Sequence, residues 1–497
     1  MFFLGARFEV RRFSFQTRIL PQFLFSAILV SVGQSQTCFA FDLQDPFYVM
    51  NSSSYPPRLG AELDECAALK MKSDEVLTLP KAVTTALCHN PKTSEAWANI
   101  QAQAAQVGIA KSAYLPTLSA SGQIVVNRSN NDGTGTTGRP FEYSSSSTNH
   151  NISVNLNWVL YDFGLRASVL DNAEKTLLSA LAKQDGALQS VISKTVKDYY
   201  AALIAQKNIE ATKQFESNAK QALDLTVGRV RGGVAAISDQ LQAQTAYSQA
   251  VYNRNKAEGD WQIALGTVAI DMGMRPNQSI QLSDANPEKS AESVVQSVDS
   301  MLKSAQETHP ALRAARADLD AALANEKSLI AQGRPTLGLV GQYGTSQQSE
   351  SPGGNQAFIE TNRQNQYIGL KLEVPIFEGF SRTYKIRNAQ ARTDARESAL
   401  NSAELEVATG VWTSYQQLKV SAINIQTSQE IVESAQLAFQ AAQNRYQRGV
   451  TDIQELITNQ NTFFNATQQH IKAIAEWQNA KIQLAASLGN LNLTTIQ

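Results

Sequence analysis

Two short stretches of this 497-residue chain decide its fold: residues 156–166, LNWVLYDFGLR, and residues 372–382, LEVPIFEGFSR. They lie 216 positions apart, and each passes from alternating apolar residues through a glycine into a long segment rich in Ala, Gln and Leu. Alternation is typical of a strand with two unlike faces, and glycine is favoured where the chain turns sharply. Each stretch therefore predicts the junction between a strand and a long helix.

The offset of 216 also relates two later segments, residues 229–273 and 445–489. It brings Gly233 onto Gly449, each followed by valine, at a break between helical patterns. Nearer the N-terminus the offset is 219, and the difference falls in loops, where insertions are tolerated. Self-similarity over such a long period indicates repeated supersecondary units, here two of about 200 residues each.

The repeats and their flanking segments give the predicted domain organisation. Arg7 and Arg11, followed by an apolar run at 19–32, predict a secretory signal peptide that is cleaved after Ala40. Lipidation at Cys38 is the alternative. The predicted segments are a signal peptide at 1–40, an N-terminal extension at 41–78, repeat 1 at 79–275, a polar linker at 276–300, repeat 2 at 301–490 and a C-terminal tail at 491–497.

Composition and cysteine use restrict the function. Cleavage after residue 40 would leave two cysteines, Cys66 and Cys88. Such a pair in an exported chain predicts a disulfide, and two buried free thiols are the alternative.

Lys plus Arg number 43 and Asp plus Glu number 44, so the chain lacks the excess of basic residues that would predict nucleic-acid binding. The sequence contains no HExxH, GxxxxGK[ST] or GxSxG motif. Neither a catalytic site, a bound metal nor another cofactor is predicted.

Each repeat contains runs whose alternation predicts strands with one apolar face. Residues 151–160, NISVNLNWVL, show it most clearly, and about 10 residues is the length that a tilted membrane-spanning strand needs. Weaker alternation at 120–128 and 336–343 predicts a second strand in each repeat, with polar loops at 129–150 and 344–363. The residues predicted to face lipid are Ile152, Val154, Leu156, Trp158, Ile368, Leu370, Leu372 and Val374.

Helices account for most of the remaining sequence. In residues 166–230 apolar residues recur at spacings of 3, 4 and 7, the pattern of helices that pack at low crossing angles, and residues 383–447 repeat this segment. A return helix follows each long one. A shorter helix opens each repeat after Asn90 or His309, with proline at its first position, so His309 is interpreted as a cap rather than a ligand. A helix of about 60 residues is about 90 Å long, too long for a compact domain.

The predicted strands are too few to form a membrane barrel from one chain. Unpaired strand edges in lipid cost several kcal/mol per backbone group, so four strands require completion by other chains. Three chains would supply 12 strands, enough for a barrel with an aqueous lumen. The sequence therefore predicts an α+β membrane protein in which two repeats each contribute two strands and long coiled-coil helices.

Several motifs recur in duplicated order along the chain. They are Leu115-Pro116, Arg334-Pro335, Leu160-Tyr161-Asp162-Phe163-Gly164, Pro375-Ile376-Phe377-Glu378-Gly379 and the Gly-Val pairs at 233 and 449. With these motifs the sequence resembles the TolC family of trimeric outer-membrane efflux and secretion channels. The resemblance implies a homotrimer with a 12-stranded β-barrel in outer-membrane lipid and an α-helical barrel in the periplasm. It also implies a periplasmic adaptor (membrane fusion protein) and an inner-membrane transporter of ABC or resistance-nodulation-division type.

In that family the turns between the long helices form a periplasmic tip that meets the adaptor and closes the channel. The resemblance places adaptor docking at Gly233, Val234, Ala235, Ser238, Gly449, Val450 and Thr451, and the channel constriction at Asp239, Tyr446, Glu455 and Thr458. Thr451 stands where a linking arginine occurs in the family, and Thr458 stands at the second of two acidic rings. An acid in the first helical turn also favours the helix dipole, which is the alternative role for Asp239 and Glu455.

The function predicted from these features is passive passage of cargo out of the cell through an outer-membrane exit channel. The cysteines near the start of repeat 1, Cys66 and Cys88, resemble those of channels for type I protein secretion, which favours that cargo class over multidrug efflux. A periplasmic coiled-coil protein without a channel is the other alternative. It explains the helices but not the duplicated apolar strand faces.

Overall fold

The structure is a computed structural model that describes residues 45–47, 49, 76–134, 136–278, 280–283, 298–352 and 359–491. The chain divides into two compact units, Met1–Pro46 and Phe47–Gln497. Only residues 45 and 46 of the first unit are described, so the fold below belongs to the second. The predicted signal peptide, Cys66 and most of the predicted N-terminal extension lie outside the described residues.

The first repeat runs through two short helices, a hairpin of long strands and two long helices. Its elements are β1 (Val76–Leu77), α1 (Leu79–His89), α2 (Pro91–Ser112), β2 (Thr117–Thr134), β3 (Pro140–Tyr161), α3 (Leu165–Arg231) and α4 (Ile237–Asp271). The prediction of a 60-residue helix followed by a return helix is confirmed, since α3 has 67 residues and α4 has 35.

The second repeat has the same elements in the same order. They are β4 (Gln281–Leu282), α5 (Val298–Thr308), α6 (Pro310–Ala331), β5 (Thr336–Pro352), β6 (Ile359–Glu373), α7 (Ser381–Gln447) and α8 (Ile453–Ser487). Helices α7 and α8 have 67 and 35 residues, the same lengths as α3 and α4. Among the described residues, no helix is both long enough and apolar enough to cross a membrane.

The start of α2 and the start of α6 are capped as the sequence predicts. The side-chain oxygen of Asn90 accepts a hydrogen bond from the backbone N–H of Lys92 at 3.0 Å. The Nδ1 atom of His309 accepts from the backbone N–H of Ala311 at 3.2 Å. Each cap satisfies one of the backbone donors that a helix start leaves without an intrahelical partner.

The junction between each second strand and its long helix is held by an ion pair. The Nε atom of Arg166 lies 2.8 Å from the carboxylate of Asp162. In repeat 2 a guanidinium nitrogen of Arg382 lies 2.8 Å from the carboxylate of Glu378. In each repeat the two partners are four positions apart, and each partner in repeat 2 lies 216 positions after its counterpart in repeat 1. Both junctions therefore fold in the same way.

The four long strands form one antiparallel sheet in the order β2-β3-β5-β6. Along β3, the predicted lipid-facing residues alternate with polar ones, and the Oγ atoms of Ser121 and Ser153 lie 2.9 Å apart on the polar face. Leu156 pairs with Leu118, and Leu370 pairs with Leu339. Strands β2 and β6 end the sheet, so each has one edge that no described strand covers.

The strands are longer than the sequence predicts, and the predicted loops are largely strand. Pairing continues along β2 to Thr134 and resumes in β3 at Pro140, so most of 129–150 belongs to the hairpin. In repeat 2, β5 reaches Pro352 and β6 begins at Ile359. Backbone hydrogen bonds extend the ladder where polar side chains no longer mark an apolar face. At the other end of the sheet, the prediction that Val374 is a strand residue is wrong, because β6 ends one residue earlier, at Glu373.

The helices bury narrow apolar stripes and leave the rest of their surface polar. The largest buried cluster surrounds Tyr199 of α3, whose hydroxyl donates to the backbone carbonyl of Leu77 at 3.0 Å. Strands β1 and β4 pair in parallel beside it and bring the beginnings of the two repeats together. Helix α3 packs against α6 and α8, so it joins repeat 1 to repeat 2 along its length.

Candidate functional site: the ends of the long helix hairpins

The turn between α3 and α4 exposes a small apolar surface. The backbone N–H of Val234 donates to the carbonyl of Arg229 at 2.9 Å, and that of Gly233 donates to Val230 at 3.0 Å. Gly233 has a φ of 73°, a left-handed conformation that glycine adopts without a steric cost. The Val234 side chain is 68% exposed at the end of this turn.

The turn between α7 and α8 repeats the same geometry. Val450 donates its backbone N–H to Arg445 at 2.9 Å, Gly449 has a φ of 76°, and Val450 is 66% exposed. The carboxylate of Asp452 accepts from the backbone N–H of Glu455 at 2.9 Å and caps α8. Each chain therefore presents two equivalent exposed valines at the ends of its helix hairpins.

Tyr446 links the two hairpins. Its side chain is 2% exposed, and its hydroxyl lies 2.7 Å from the Oγ1 atom of Thr226 on α3. Because Thr226 already donates to the carbonyl of Ala222, the Tyr446 hydroxyl is the donor in this pair. The guanidinium of Arg229 lies over the Tyr446 ring at 4.8 Å and donates to the Tyr446 carbonyl at 2.9 Å. Separation of α3 from α7 at this end would break all three contacts.

The Glu455 carboxylate is bound within its own hairpin. One oxygen accepts from Arg445 of α7 at 2.8 Å, and the other accepts from the Thr451 hydroxyl. The Thr451 hydroxyl therefore positions Glu455. The ion pair reduces the net negative charge that Glu455 presents to solvent.

The other predicted constriction residues are more exposed and have fewer contacts. Asp239 lies in the first turn of α4, half-buried, and its carboxylate is 3.3 Å from the Ser238 hydroxyl. Thr458 is exposed on α8, one turn beyond Glu455. Within one chain the structure brings Tyr446 together with Thr226 and Arg229, and not with Asp239. Their roles in a constriction stay predictions.

Sequence reasoning missed Thr226, Arg229 and Arg445 at this site. The two arginines occupy equivalent positions in the two repeats, at the same offset of 216. This duplication was the sequence signal that could have identified them. Their contacts differ, because Arg445 pairs with Glu455 of its own hairpin, whereas Arg229 donates to the carbonyl of Tyr446 in the other hairpin. The repeats also differ at the next position, which is Val230 in repeat 1 and Tyr446 in repeat 2.

A second charged cluster lies at the far end of α4. The buried carboxyl of Asp271 pairs with the Lys194 ammonium, which also lies 2.8 Å from Asp198. The pKa of Asp271 is raised from 3.8 to about 6, chiefly by burial and also by the adjacent Asp198, whereas Lys194 opposes the change. The folded chain therefore binds this proton more tightly than the unfolded chain. Between pH 3.8 and about 6 the carboxyl favours the folded state less as pH rises.

Cys88 of α1 is disulfide-bonded, and both other cysteines lie outside the described residues. The pairing with Cys66 stays a prediction, and it would tie the N-terminal extension to repeat 1. Closing a loop of about 20 residues stabilises the fold by about 3 kcal/mol in the chain-entropy model. Mass spectrometry of unreduced peptides from the exported protein is expected to find a Cys66–Cys88 cross-link. Two alkylated thiols in the same digest would contradict the pairing.

The architecture of two strand–helix repeats with exposed hairpin ends defines a family of outer-membrane export channels. The sequence model of the family described as outer membrane efflux protein matches residues 82–270 and 301–490, nearly all of both repeats. The chain belongs to this family. The alternative of a periplasmic coiled-coil protein without a channel is therefore not favoured. The predicted location in the outer membrane, with a large periplasmic part, is confirmed.

Individual relatives agree with this assignment. The chain is 29% identical to protein CyaE of Bordetella pertussis over 424 residues, 84% of this chain and 85% of CyaE. It is 25% identical to outer membrane protein TolC of Escherichia coli, over 71% of this chain and 74% of TolC. Among solved structures, the outer-membrane channel OprN matches with a TM-score of 0.69 and 19% identity, over 88% of this chain and 97% of OprN. The predicted resemblance and fold class are confirmed.

Proposed function

We propose that three copies of the chain form the outer-membrane duct of a tripartite export machine. The observation that supports it most directly is the open sheet of four antiparallel strands, which has an apolar face and two uncovered edges and continues into 67-residue helices. Three such sheets close a barrel of about 12 strands without unpaired edges. The helices, about 100 Å long, then continue the duct across the periplasm.

The exposed hairpin ends are the proposed docking site for a periplasmic adaptor, below which an inner-membrane transporter of ABC or resistance-nodulation-division type supplies the cargo. Val234 and Val450 are the apolar contacts at these ends. In a trimer they form a ring of six equivalent positions. Beside them Asp239, Tyr446, Glu455 and Thr458 line the proposed constriction, and the contact of Tyr446 with Thr226 and Arg229 favours its closed form.

The proposed cargo is protein, as in type I secretion. The support is the resemblance of Cys66 and Cys88 to cysteines of secretion channels, together with the disulfide at Cys88. Multidrug efflux is the second candidate, because the matching family is described as efflux proteins. Both candidates require the same duct and differ only in the transporter that feeds it.

Deletion of the gene, followed by parallel measurements of secreted proteins and drug susceptibility, tests the function. Loss of particular proteins from the medium with unchanged drug susceptibility supports protein secretion. Increased susceptibility with an unchanged secretome favours efflux. Complementation with Val450→Asp is the matched control for docking, since it is expected to restore a trimer in the outer membrane but not export. A deletion strain with neither defect contradicts the proposed function.

A further inference from the structure

The end of α4 meets the start of α2, and this contact of residues 271–274 with residues 89–92 is named here the repeat 1 joint. The Asn90 amide donates to the backbone carbonyl of Asp271 at 3.0 Å, while its oxygen caps α2. Gly273 has a φ of 71°, and a Cβ atom there would lie 2.6 Å from the last carbonyl oxygen of α1. The two helices therefore pack end to end, with no space for a larger residue at the turn.

Repeat 2 has an equivalent contact, the repeat 2 joint, between residues 487–490 and residues 308–311. Gly489 has a φ of 72°, and a Cβ atom there would lie 2.9 Å from the Cα atom of His309. Three backbone N–H groups close the end of the return helix in each repeat: those of Met272, Gly273 and Met274 in repeat 1, and those of Leu488, Gly489 and Asn490 in repeat 2. The two joints therefore share one backbone arrangement.

Three charged side chains hold the repeat 1 joint against α3, namely Lys194, Asp198 and Asp271, the charged trio. The Asp271 carboxyl is buried, and one of its oxygens accepts from the Lys194 ammonium, which also lies 2.8 Å from Asp198. The other oxygen, Oδ2, is buried and has no hydrogen-bond donor among the described residues. A proton on Asp271 would make this carboxyl a donor to Asp198.

The repeat 2 joint has no charged trio among its described residues. The counterparts of the trio, at the offset of 216, are Gly410, Ser414 and Ser487. A Cβ atom on Gly410 would lie 3.9 Å from the Cβ atom of Ser487, so these positions face each other as Lys194 and Asp271 do. Both serine hydroxyls donate to backbone carbonyls of their own helices. The two joints thus differ in charge and not in backbone.

We propose that the repeat 1 joint is a pH-sensitive contact that acidification tightens, and that the repeat 2 joint has no such response. With both carboxylates ionised, the charged trio has two negative groups for one ammonium and a buried oxygen without a donor, which favours separation of α4 from α3. A proton on Asp271 neutralises the trio and adds a hydrogen bond to Asp198. This response depends on neither the cargo nor the number of subunits, so it goes beyond the proposed function.

The groups around Asp271 determine the pH range of the response. Burial is the main cause that raises the pKa of Asp271 from 3.8 to about 6, with Asp198 adding to the increase and Lys194 opposing it. The junction of α1 and α2 contributes His89 and Lys92, and both are exposed. Between pH 7 and pH 5 the closed joint therefore takes up a proton that an opened joint, with a solvated carboxyl, does not. The closed joint is favoured about 10-fold more at pH 5 than at pH 7.

The titratable side chain of the repeat 2 joint is His309, and its response has the opposite sign. Burial lowers the pKa of His309 from 6.5. Its Nδ1 atom accepts from the backbone N–H of Ala311, so a proton on that atom would remove the cap of α6. Acidification is therefore expected not to tighten the repeat 2 joint.

Hydrogen exchange of the full chain in detergent, measured by mass spectrometry at pH 7 and pH 5, tests the proposal. After correction for intrinsic rates, the amides of residues 272–274 are expected to be about 10-fold better protected at pH 5. Residues 488–490 close the same turn in repeat 2 and are the internal reference, for which no increase is expected. Asp271→Asn provides a permanent donor to Asp198 and is expected to abolish the response of residues 272–274.

Asp185→Asn is the matched control, because Asp185 is a more exposed acid on α3 that pairs with Arg313 at 2.9 Å, outside the joint. This variant is expected to keep the 10-fold response. If Asp271→Asn does not fold, the comparison of the two joints in the unaltered chain still decides the question. The proposal is overturned if residues 272–274 and 488–490 show the same change or no change, or if Asp271→Asn retains the full response.

Discussion

Leu370→Arg is expected to prevent stable insertion of the channel in the outer membrane. Leu370 alternates with polar residues on β6 and is 68% exposed, which places an arginine there in contact with lipid. A charged side chain on the lipid face near the bilayer midplane costs about 2–4 kcal/mol, and a trimer carries three copies. Leu156→Arg on β3 is expected to have the same effect. Both are measured by outer-membrane fractionation and by heat-modifiable migration of the trimer.

Asn155→Arg is the matched control for these variants. Asn155 neighbours Leu156 on β3 but lies on the opposite face, where its amide is 3.4 Å from the Ser153 hydroxyl. That face already tolerates charge in β6, because Lys371 and Glu373 form an ion pair there at 2.8 Å. Asn155→Arg is therefore expected to assemble at the native level. Equal assembly of all three variants would remove the assignment of an apolar face to lipid.

The fold was predictable because its signals are long and duplicated. Alternation from Ile152 to Trp158 fixes which face of β3 is apolar, and a register slip of one residue would invert it. Glycines followed by valine at 233 and 449 mark the ends of two 67-residue helices, since a left-handed turn there needs glycine. Each signal recurs at the equivalent position of the other repeat, so both copies support the same assignment.

Side-chain periodicity could not predict how far the strands extend. Beyond Val126 the residues of β2 are polar on both faces, so nothing in their order distinguishes strand from loop, and backbone pairing alone continues the hairpin to Thr134. The short helices α1 and α5 were missed because 11 residues hold only about three turns of pattern. Contacts between repeats, such as Arg229 with Tyr446, depend on distances that sequence spacing does not encode.

Arg229→Ala is expected to open the periplasmic end of the channel. The change removes a hydrogen bond from a charged donor to the Tyr446 carbonyl and the packing of the guanidinium on the Tyr446 ring. A hydrogen bond of a charged group contributes about 1.5–3 kcal/mol, so the ratio of open to closed channels is expected to increase by about 10- to 150-fold. Tyr446→Phe removes only the neutral bond to Thr226, and an increase of about fivefold is expected. Single-channel recording in planar bilayers measures both ratios.

The equivalent arginine of repeat 2 supplies the control that identifies the cause. Arg445 pairs with Glu455 inside one hairpin, so Arg445→Ala leaves the link between hairpins intact and is expected to leave the open-to-closed ratio unchanged. It removes the ion pair of the Glu455 carboxylate and leaves the hydrogen bond from Thr451. Three uncompensated charges around one opening are expected to increase cation selectivity at low salt, whereas Glu455→Gln decreases it. If Arg445→Ala opens the channel as much as Arg229→Ala does, closure depends on the turns themselves and not on the contact between hairpins. Because Arg229 contacts Tyr446 of the other hairpin whereas Arg445 pairs with Glu455 of its own, the two variants separate gating from charge at one end of the molecule.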